Sequence, residues 1–327
     1  MSTSSTARTS SARTAATSSS GRGAGAWVLI TGATAGIGRT TALHLARAGY
    51  RVIATGRKVH ELEALATEAR AAGADLDTLS LDVTSASSIA AAASAVDTLT
   101  GGAGLDVLVN NAGFGLIGPL VEVDDAGLRR QYDTNVFGLM AVTRAFLPTM
   151  MARRRGRVIN VSSVGGRMTF PFMGAYNSTK YAVESLSDAL RFELRPFGVD
   201  VVLIEPGVIR TNFTDTAMGG LDASTSSAYA ASLRKADQLR ARMEATAVGP
   251  EHVARAITRA IRARRPSARY IAPRRTALVL AAKAVTPTRV WDWSMRQFSF
   301  LAGKHVHAAL APTPTPARLD QPNPTGA

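Results

Sequence analysis

The sequence contains no cysteine, which excludes disulfide bonds, thiolate nucleophiles and cysteine-ligated metal sites. Its five histidines form no His-Glu-x-x-His pattern, and we predict no metal site. It also lacks an uninterrupted apolar run of the roughly 18 residues or more that a membrane-spanning helix needs. Residues 1–25 lack the apolar stretch of a secretory signal. From these absences we expect a cytoplasmic protein.

Acidic side chains are scarce, because 24 Asp and Glu stand against 38 Lys and Arg, for a formal net charge of +14. A basic balance of this size can indicate an anionic partner. The arginines are scattered, however, and the sequence shows no helix-turn-helix, zinc-finger or aromatic-basic RNA-binding pattern. We therefore expect no nucleic-acid partner.

Both ends of the chain are poor in large apolar residues. Residues 1–25 are almost entirely Ser, Thr, Ala, Gly and Arg, and residues 308–327 are rich in proline. Such segments cannot bury enough apolar surface to offset the entropy of ordering, so we predict disordered tails. An organelle transit peptide, which shares the composition of residues 1–25, stays open as an alternative. Between the tails we predict one catalytic domain over 26–273 and an extension over 274–307.

Within that domain, short apolar runs alternate with longer amphipathic stretches. Strand-like runs occupy 27–31, 51–55, 76–83, 105–113, 156–163, 199–207 and 268–273, and helical patterns occupy 36–49, 59–72, 85–99, 124–151, 174–197 and 250–264. Strands that are apolar throughout and alternate with helices predict a parallel sheet covered on both faces. We therefore predict an α/β fold, a doubly wound parallel sheet of the Rossmann type in a single domain, with a ligand at the carboxyl ends of the strands.

The segment TGATAGIG, residues 31–38, follows the first predicted strand and opens the first predicted helix. Gly32, Gly36 and Gly38 permit a tight turn in which backbone N–H groups approach a pyrophosphate at the helix N-terminus. A plain tight turn is the alternative. The order of strand, turn and helix favours dinucleotide binding.

Further motifs follow in order, each at a strand end or in the helix after it. They are LDVT (81–84), NNAG (110–113), TNVFG (134–138), NVSS (160–163), YNSTK (176–180) and PGVIRT (206–211). Together with the glycine turn they resemble the motifs of the short-chain dehydrogenase/reductase family over roughly residues 26–273. The resemblance implies an oxidoreductase that acts on CH–OH and C=O groups with a nicotinamide dinucleotide.

The resemblance also implies the site residues. It gives a catalytic set of Asn135, Ser163, Tyr176 and Lys180, with Ser163 preferred to Ser162 because the family's serine lies 13 residues before its tyrosine. It implies that Asp82 bonds the adenine amino group and that the PGVIRT segment holds the nicotinamide carboxamide. The predicted cofactor-binding residues are Gly32, Thr34, Gly36, Ile37, Gly38, Arg57, Asp82, Val83, Asn110, Ala112, Gly113, Tyr176, Lys180, Pro206, Gly207, Val208 and Thr211.

Tyr176 and Lys180 are four residues apart, a spacing that places both side chains on one face of a helix. A free phenol has a pKa of about 10 and is a poor base at neutral pH. We expect the ammonium, together with an oxidised nicotinamide, to lower the pKa of Tyr176 toward a value suited to general acid–base catalysis. We expect Ser163 to hydrogen-bond the substrate oxygen, with a strand-end cap as its alternative role. By the resemblance, Asn135 holds a water that links Lys180 to solvent, and its alternative is a helix-interior hydrogen bonder.

The end of the second predicted strand bears on cofactor choice. An enzyme that prefers NAD places a carboxylate there for the ribose 2′-OH, but here no acid occurs before Glu61. Arg57 instead follows the strand, 19 residues after Gly38. A guanidinium can bind a 2′-phosphate with two hydrogen bonds, so we predict NADP(H). An ordinary solvated arginine is the alternative.

Apolar residues near Tyr176 indicate the kind of substrate. Phe170, Phe172 and Met173 precede the tyrosine, and their alternative role is to pack in the core. We expect a small hydrophobic carbonyl or alcohol substrate under a lid formed by about 207–245.

The segment 276–303, which contains Trp291 and Trp293, extends past the usual end of the fold and resembles the extensions of hydroxysteroid and retinol dehydrogenases in the same family. It could pack on the surface of the domain, cover the substrate site, lie on a membrane surface or contact another protein. A homo-oligomer also stays open. The alternative functions are a catalytically silent nucleotide-binding protein and a membrane-peripheral protein on the same fold.

Overall fold

The structure is a computed structural model, and it describes residues 23–213, 217, 229–235, 238, 241–242, 244–299 and 301. The predicted tail at 308–327 and nearly all of the predicted tail at 1–25 lie outside the described residues. Much of the predicted lid, 207–245, also lies outside them.

The core is a parallel sheet in the order β3-β2-β1-β4-β5-β6-β7, and each neighbouring pair is parallel. This confirms the predicted doubly wound α/β fold. Strands β2 and β3 lie on one side of β1, and the chain then crosses to β4 on the other side. This change of direction creates a cleft at the carboxyl ends of the strands. The strands are β1 Trp27–Ile30, β2 Arg51–Gly56, β3 Asp77–Ser80, β4 Val107–Asn110, β5 Gly156–Val161, β6 Val199–Pro206 and β7 Arg269–Ala272.

Helices cover both faces of the sheet. They are α1 Gly36–Arg47, α2 Val59–Ala71, α3 Ala86–Thr100, α4 Asp125–Tyr132, α5 Leu139–Ala152, α6 Gly174–Glu193, α7 Ala230–Leu233, α8 Glu251–Arg262, α9 Thr276–Val285 and α10 Thr288–Phe298. Two single turns of 3₁₀ helix, Val164–Gly166 and Arg195–Phe197, follow β5 and α6.

The two faces carry separate apolar cores. On one face, residues such as Leu45 of α1 and Ile257 of α8 pack against the strands. On the other, Val96 of α3 and Phe146 of α5 do so. Full burial of one such side chain contributes about 1.5–3 kcal/mol to folding. The near-continuous apolar strands of the sequence are explained by this double coverage.

The helix predicted over 124–151 is interrupted in the structure. Asp133–Gly138 form a π-helical turn between α4 and α5. A Cβ at Gly138 would lie 2.8 Å from the carbonyl oxygen of Val83, so glycine permits the turn to approach the loop after β3. Periodicity did not reveal the interruption, because the apolar pattern continues through it.

The helix predicted over 174–197 ends earlier, at Glu193. Pro196 lies in the following 3₁₀ turn, and Gly198 after it has a φ of +67°. Proline cannot continue an α-helix, and the left-handed glycine reverses the chain into β6.

The extension forms helices α9 and α10, and Trp291 of α10 packs against a cluster of Val164, Met168 and Leu280. Part of the extension therefore packs on the domain. Within the described part of the chain, no helix combines the length and apolarity that crossing a membrane requires.

Candidate active site

A cavity of about 1110 Å³ lies at one edge of the sheet. Its wall includes Gly32 after β1, Gly56 at the end of β2, Ala112 after β4, Ser163 after β5 and Gly207 after β6. The carboxyl ends of parallel strands meet at the same edge, so these five segments converge there. The cavity lies where the sequence predicts a ligand.

The glycine turn between β1 and α1 is compact. Gly32 and Gly36 have positive φ values of +65° and +52°, a backbone conformation that residues with a side chain rarely adopt. A Cβ at Gly38 would lie 2.2 Å from the carbonyl oxygen of Gly32. Asn111 holds the turn, because its Nδ2 donates to the carbonyls of Thr31 at 2.9 Å and Gly32 at 3.0 Å. The bare backbone at the start of α1 fits a pyrophosphate.

Most of the predicted site residues share the cavity wall. Those that line it are Gly32, Thr34, Gly36, Ile37, Arg57, Asp82, Val83, Ala112, Gly113, Ser163, Tyr176, Lys180, Pro206, Gly207, Val208 and Thr211.

Gly38, Asn110 and Asn135 lie outside that wall. Gly38 is buried inside the turn. Asn110 is 3% exposed, and its Nδ2 donates to Thr143 Oγ1 at 2.8 Å and Asn160 Oδ1 at 2.9 Å. It ties β4 to α5 and β5 behind the cavity. Its neighbour Asn111, which the predicted set omits, is the one that lines the cavity.

Asn135 lies in the π-helical turn and is 1% exposed. Its Oδ1 accepts from the backbone N–H of Phe114 at 3.0 Å, and its Nδ2 donates to Phe114 O at 2.9 Å and Thr179 Oγ1 at 3.1 Å. A Cβ at Gly113 would lie 2.9 Å from Asn135 Oδ1 and 3.9 Å from Lys180 Nζ. Asn135 therefore fixes the loop after β4 beside Lys180, since both N–H donors of its amide are already paired.

Tyr176 and Lys180 lie on the buried face of α6. Lys180 Nζ lies 5.7 Å from the centre of the Tyr176 ring and donates to the carbonyl oxygen of Val161 at 2.9 Å. Burial lowers the pKa of Lys180 to about 8, and the charge of Glu184 opposes this shift.

The pKa of Tyr176 does not follow the sequence-based expectation. Burial raises it to about 12, while a hydrogen bond with Ser163 acts in the lowering direction. Desolvation disfavours the phenolate, and its effect exceeds that of the chain's own neighbouring groups. The expected fall below the ordinary phenol value is therefore not produced by these residues alone.

Ser163 lies beside the phenol and also caps the 3₁₀ turn Val164–Gly166. Its Oγ accepts from the backbone N–H of Gly165 at 3.0 Å. That bond uses an acceptor site, so the one hydroxyl hydrogen of Ser163 is left to be donated either to the phenol oxygen of Tyr176 or to a substrate oxygen. The predicted substrate contact and the alternative role as a cap are thus compatible in one side chain.

The part of the cavity wall after β2 and β3 is polar. Asp82 accepts from the backbone and side chain of Thr84 at 2.9 and 2.7 Å, and these bonds, more than the nearby charge of Arg57, lower its pKa. Arg57 is exposed at the cavity wall. Arg39, which follows the glycine turn, forms an ion pair with Glu68.

Several wall residues lie outside the set predicted from sequence. The Phe213 ring lies 5.2 Å from that of Tyr176, edge to face. Leu233, from the predicted lid, and Met295 and Phe298, from α10, also line the cavity. These segments carry no recognisable motif. Among the described residues, no group of three or more acidic or histidine side chains is arranged to hold a metal ion.

Comparison with known proteins gives consistent matches. The family model for short chain dehydrogenase matches residues 26–220. The chain is 37% identical over 265 residues to the uncharacterized oxidoreductase YbbO of Escherichia coli K12, with 81% of this chain and 92% of that protein covered. It is 32% identical over 272 residues to 3-ketodihydrosphingosine reductase of Bacteroides thetaiotaomicron, with 83% and 97% covered.

Solved structures show the same fold with a nicotinamide cofactor. A short chain dehydrogenase/reductase from Burkholderia phymatum in complex with NAD aligns with a TM-score of 0.70 at 27% identity, over 80% of this chain and 93% of that chain. A metagenomic short-chain oxidoreductase in complex with NADP aligns with a TM-score of 0.61 at 28% identity, over 76% and 97%.

Proposed function

The chain belongs to the short-chain dehydrogenase/reductase family, and from that premise we propose an NADP(H)-dependent oxidoreductase of hydrophobic ketones, aldehydes or secondary alcohols, with Tyr176 as the general acid/base. The observation that carries the proposal is the convergence of Ser163, Tyr176 and Lys180 on the cavity that the glycine turn also lines. A catalytically silent nucleotide-binding protein has no need of this set.

A bound nicotinamide supplies or accepts the hydride in this reaction, and the chain supplies the proton and the orientation. Tyr176 donates its hydroxyl proton to the carbonyl oxygen during reduction, and Ser163 donates a hydrogen bond to the same oxygen. A phenol whose pKa is about 12 is protonated at neutral pH. This is the form of Tyr176 that donates a proton in carbonyl reduction.

Lys180 supports the proton transfer from behind the phenol. Its bond to Val161 fixes the ammonium, and its other N–H donors remain for cofactor hydroxyl groups. As the phenol loses its proton, a positive charge nearby stabilises the phenolate. We assign Asn135 a role in positioning the loop beside Lys180, and any water it holds for proton relay would bind its backbone or the remaining lone pair of Oδ1.

The preference for NADP(H) rests on Arg57. The end of β2 presents no carboxylate toward the cavity, and Gly56 and Arg57 both line the wall. Thr34 closes over Gly56, where an added Cβ would lie 2.7 Å from Thr34 Cγ2. Of the three nearby cations, Arg57 is the one on the wall, and Arg39 and Lys58 each pair with a glutamate.

The hydrophobic substrate rests on the wall around Tyr176. Ile117, Phe170, Phe172, Met173 and Phe213 line this end of the cavity. One relative is a reductase of 3-ketodihydrosphingosine, which supports a ketone with an apolar body as the substrate class.

A substrate panel tests this function. The purified full-length protein is mixed with NADPH and ketones, aldehydes, quinones or keto-steroids, and the loss of NADPH is followed. We expect turnover with at least one hydrophobic ketone or aldehyde. NADPH binding without turnover of any class would instead support the catalytically silent nucleotide-binding protein.

A further inference from the structure

Helix α9 is an apolar helix on the surface of the protein. Its sequence is TALVLAAKAV, and Leu280 is its buried residue. Leu278 is 74% exposed and Val285 is 83% exposed. A helix that is apolar on most sides is normally buried in a core or in lipid, and contiguous exposed apolar surface marks an interaction site.

This apolar surface continues into the mouth of the cavity. Leu278 and Val279 of α9 line the cavity, as do Met295 and Phe298 of α10, and Val279 is 44% exposed to solvent. The surface therefore connects the substrate end of the cavity with the outside. An occupant that covers α9 would also lie over this mouth.

Helix α10 adds exposed apolar residues one turn apart. Val290 is 54% exposed and Trp293 is 59% exposed, and their spacing places them on one face of the helix. Lys283 of α9 lies over the Trp291 ring at 5.4 Å, so the two helices are in contact. We call Leu278, Val279, Val285, Val290 and Trp293 the apolar rim.

The charges on the segment that carries the apolar rim are almost all positive. Residues 274–299 contain five basic residues against a single acid, Asp292. Arg274 and Arg275, just before α9, and Arg289 and Arg296 of α10 are exposed. Exposed cations beside apolar and tryptophan side chains are the composition of helices that lie at the surface of anionic membranes.

Charge also decides between a membrane and a second copy of the chain. Two copies that meet through this surface would bring the same cations together, in a chain whose net charge is already +14, and like charges oppose association. Anionic headgroups have the complementary sign. A helix of ten residues is about 15 Å long, half the thickness of the bilayer core, so α9 is suited to lie in the interface.

We propose that α9 and α10 form a docking surface for anionic lipid bilayers, with the apolar rim in the interfacial layer and the cavity mouth facing the lipid. Docking in this orientation would let a hydrophobic substrate pass from the bilayer into the cavity. That consequence rests on the proposed function, whereas the docking itself does not.

Co-sedimentation with vesicles tests the docking. The full-length protein is mixed with phosphatidylcholine vesicles that either contain or lack phosphatidylserine, with no substrate or cofactor present. We expect binding to the anionic vesicles, weaker binding to the neutral ones, and a decrease with added salt. Because turnover is not measured, failure here is distinguishable from failure of the proposed function.

Two double variants separate the apolar and the charged contributions. V285E/W293E should weaken binding to anionic vesicles at least tenfold. R274E/R289E should abolish the difference between anionic and neutral vesicles. The matched control is Phe192→Glu, which changes a 67% exposed aromatic residue on α6 and should bind as the unmodified chain does. Melting temperatures check that each variant folds.

Other outcomes overturn the proposal. Absence of sedimentation with anionic vesicles would do so, as would equal loss in Phe192→Glu. If light scattering without lipid shows a dimer that V285E/W293E dissociates, the occupant is a second copy of the chain and the lipid assignment is wrong.

Discussion

Burial lowers the pKa of Lys180 to about 8, and Glu184, one turn later on α6, opposes that shift through its negative charge. Glu184 is 6% exposed, and Arg269 Nε donates to its Oε2 at 3.0 Å. The same Nε lies 3.1 Å from Oε1 of Glu205, which is fully buried. A buried charged network therefore stands directly behind the candidate catalytic lysine.

The Glu184→Gln variant should lose activity at lower pH than the unmodified enzyme. Lys180 carries its positive charge below its pKa. Burial lowers that pKa and the negative charge of Glu184 raises it, so removal of the Glu184 charge should lower the pKa of Lys180 further. The alkaline limb of kcat/KM against pH, which reports groups of the free enzyme, should therefore move to lower pH. The charged side chains that interact with the carboxylate of Glu184, namely Arg269, Arg167 and Glu205, stay in place in this variant.

Asp188→Asn is the matched control for that change. Asp188 accepts from Nη2 of the same Arg269 at 2.7 Å and is more exposed than Glu184. It is not among the charges that shift Lys180, so its loss should leave the alkaline limb in place. An unmoved limb in Glu184→Gln, or an equal shift in both variants, would show that Glu184 does not act on Lys180.

The Tyr176→Phe variant should lose turnover and keep its cofactor. Removal of the transferable proton should lower kcat by about 10²–10⁴-fold, while the Kd for NADPH, measured by fluorescence, should hardly change. Tyr181→Phe, on the same helix with a 43% exposed side chain, should retain full activity. If Tyr176→Phe keeps more than roughly a tenth of the unmodified rate, the proton donor is another group.

The Lys180→Ala variant should impair both steps. It removes the positive charge beside the phenol and a donor for cofactor hydroxyl groups, so kcat should fall and the Kd for NADPH should rise. A change confined to kcat would mean that Lys180 does not bind the cofactor.

The Arg57→Ala variant should weaken the use of NADPH and spare NADH. One charge-assisted contact is worth about 1.5–3 kcal/mol, or roughly tenfold to 150-fold in affinity, and NADH lacks the phosphate that would receive it. We expect KM for NADPH to rise accordingly. Arg39→Ala, which removes the partner of Glu68, should leave the ratio unchanged. Equal use of NADPH and NADH by the unmodified enzyme would contradict the preference.

The Gly38→Ala variant should disrupt the dinucleotide turn. The added Cβ would lie 2.2 Å from the backbone carbonyl oxygen of Gly32, and a backbone carbonyl cannot rotate away as a side chain can. We expect a loss of about 1–3 kcal/mol or more in the free energy of unfolding, which is the usual cost of overpacking. We also expect NADPH binding to be lost. Gly23→Ala, where an added Cβ meets nothing within 4 Å, is the control. Denaturant unfolding of both variants measures the difference.

Local order along the chain was enough to predict the parallel sheet, the glycine turn and the pairing of Tyr176 with Lys180. Short, continuous apolar runs indicate buried strands, and longer amphipathic stretches indicate helices. Two residues four positions apart lie on the same face of a helix. The placement of Arg57 at the end of β2 was accessible for the same reason. Each of these features depends on residues that are neighbours in sequence.

Contacts between distant segments decided the rest. Asn110 faces Thr143 and Asn160, so it lies behind the wall, and Asn111 takes the position on the cavity. The sequence by itself determined which groups stand near the ends of the strands. The tertiary structure alone decided that Tyr176 is buried with a raised pKa and that α9 and α10 border the cavity, because desolvation and packing are set by atoms that the chain brings together from far apart.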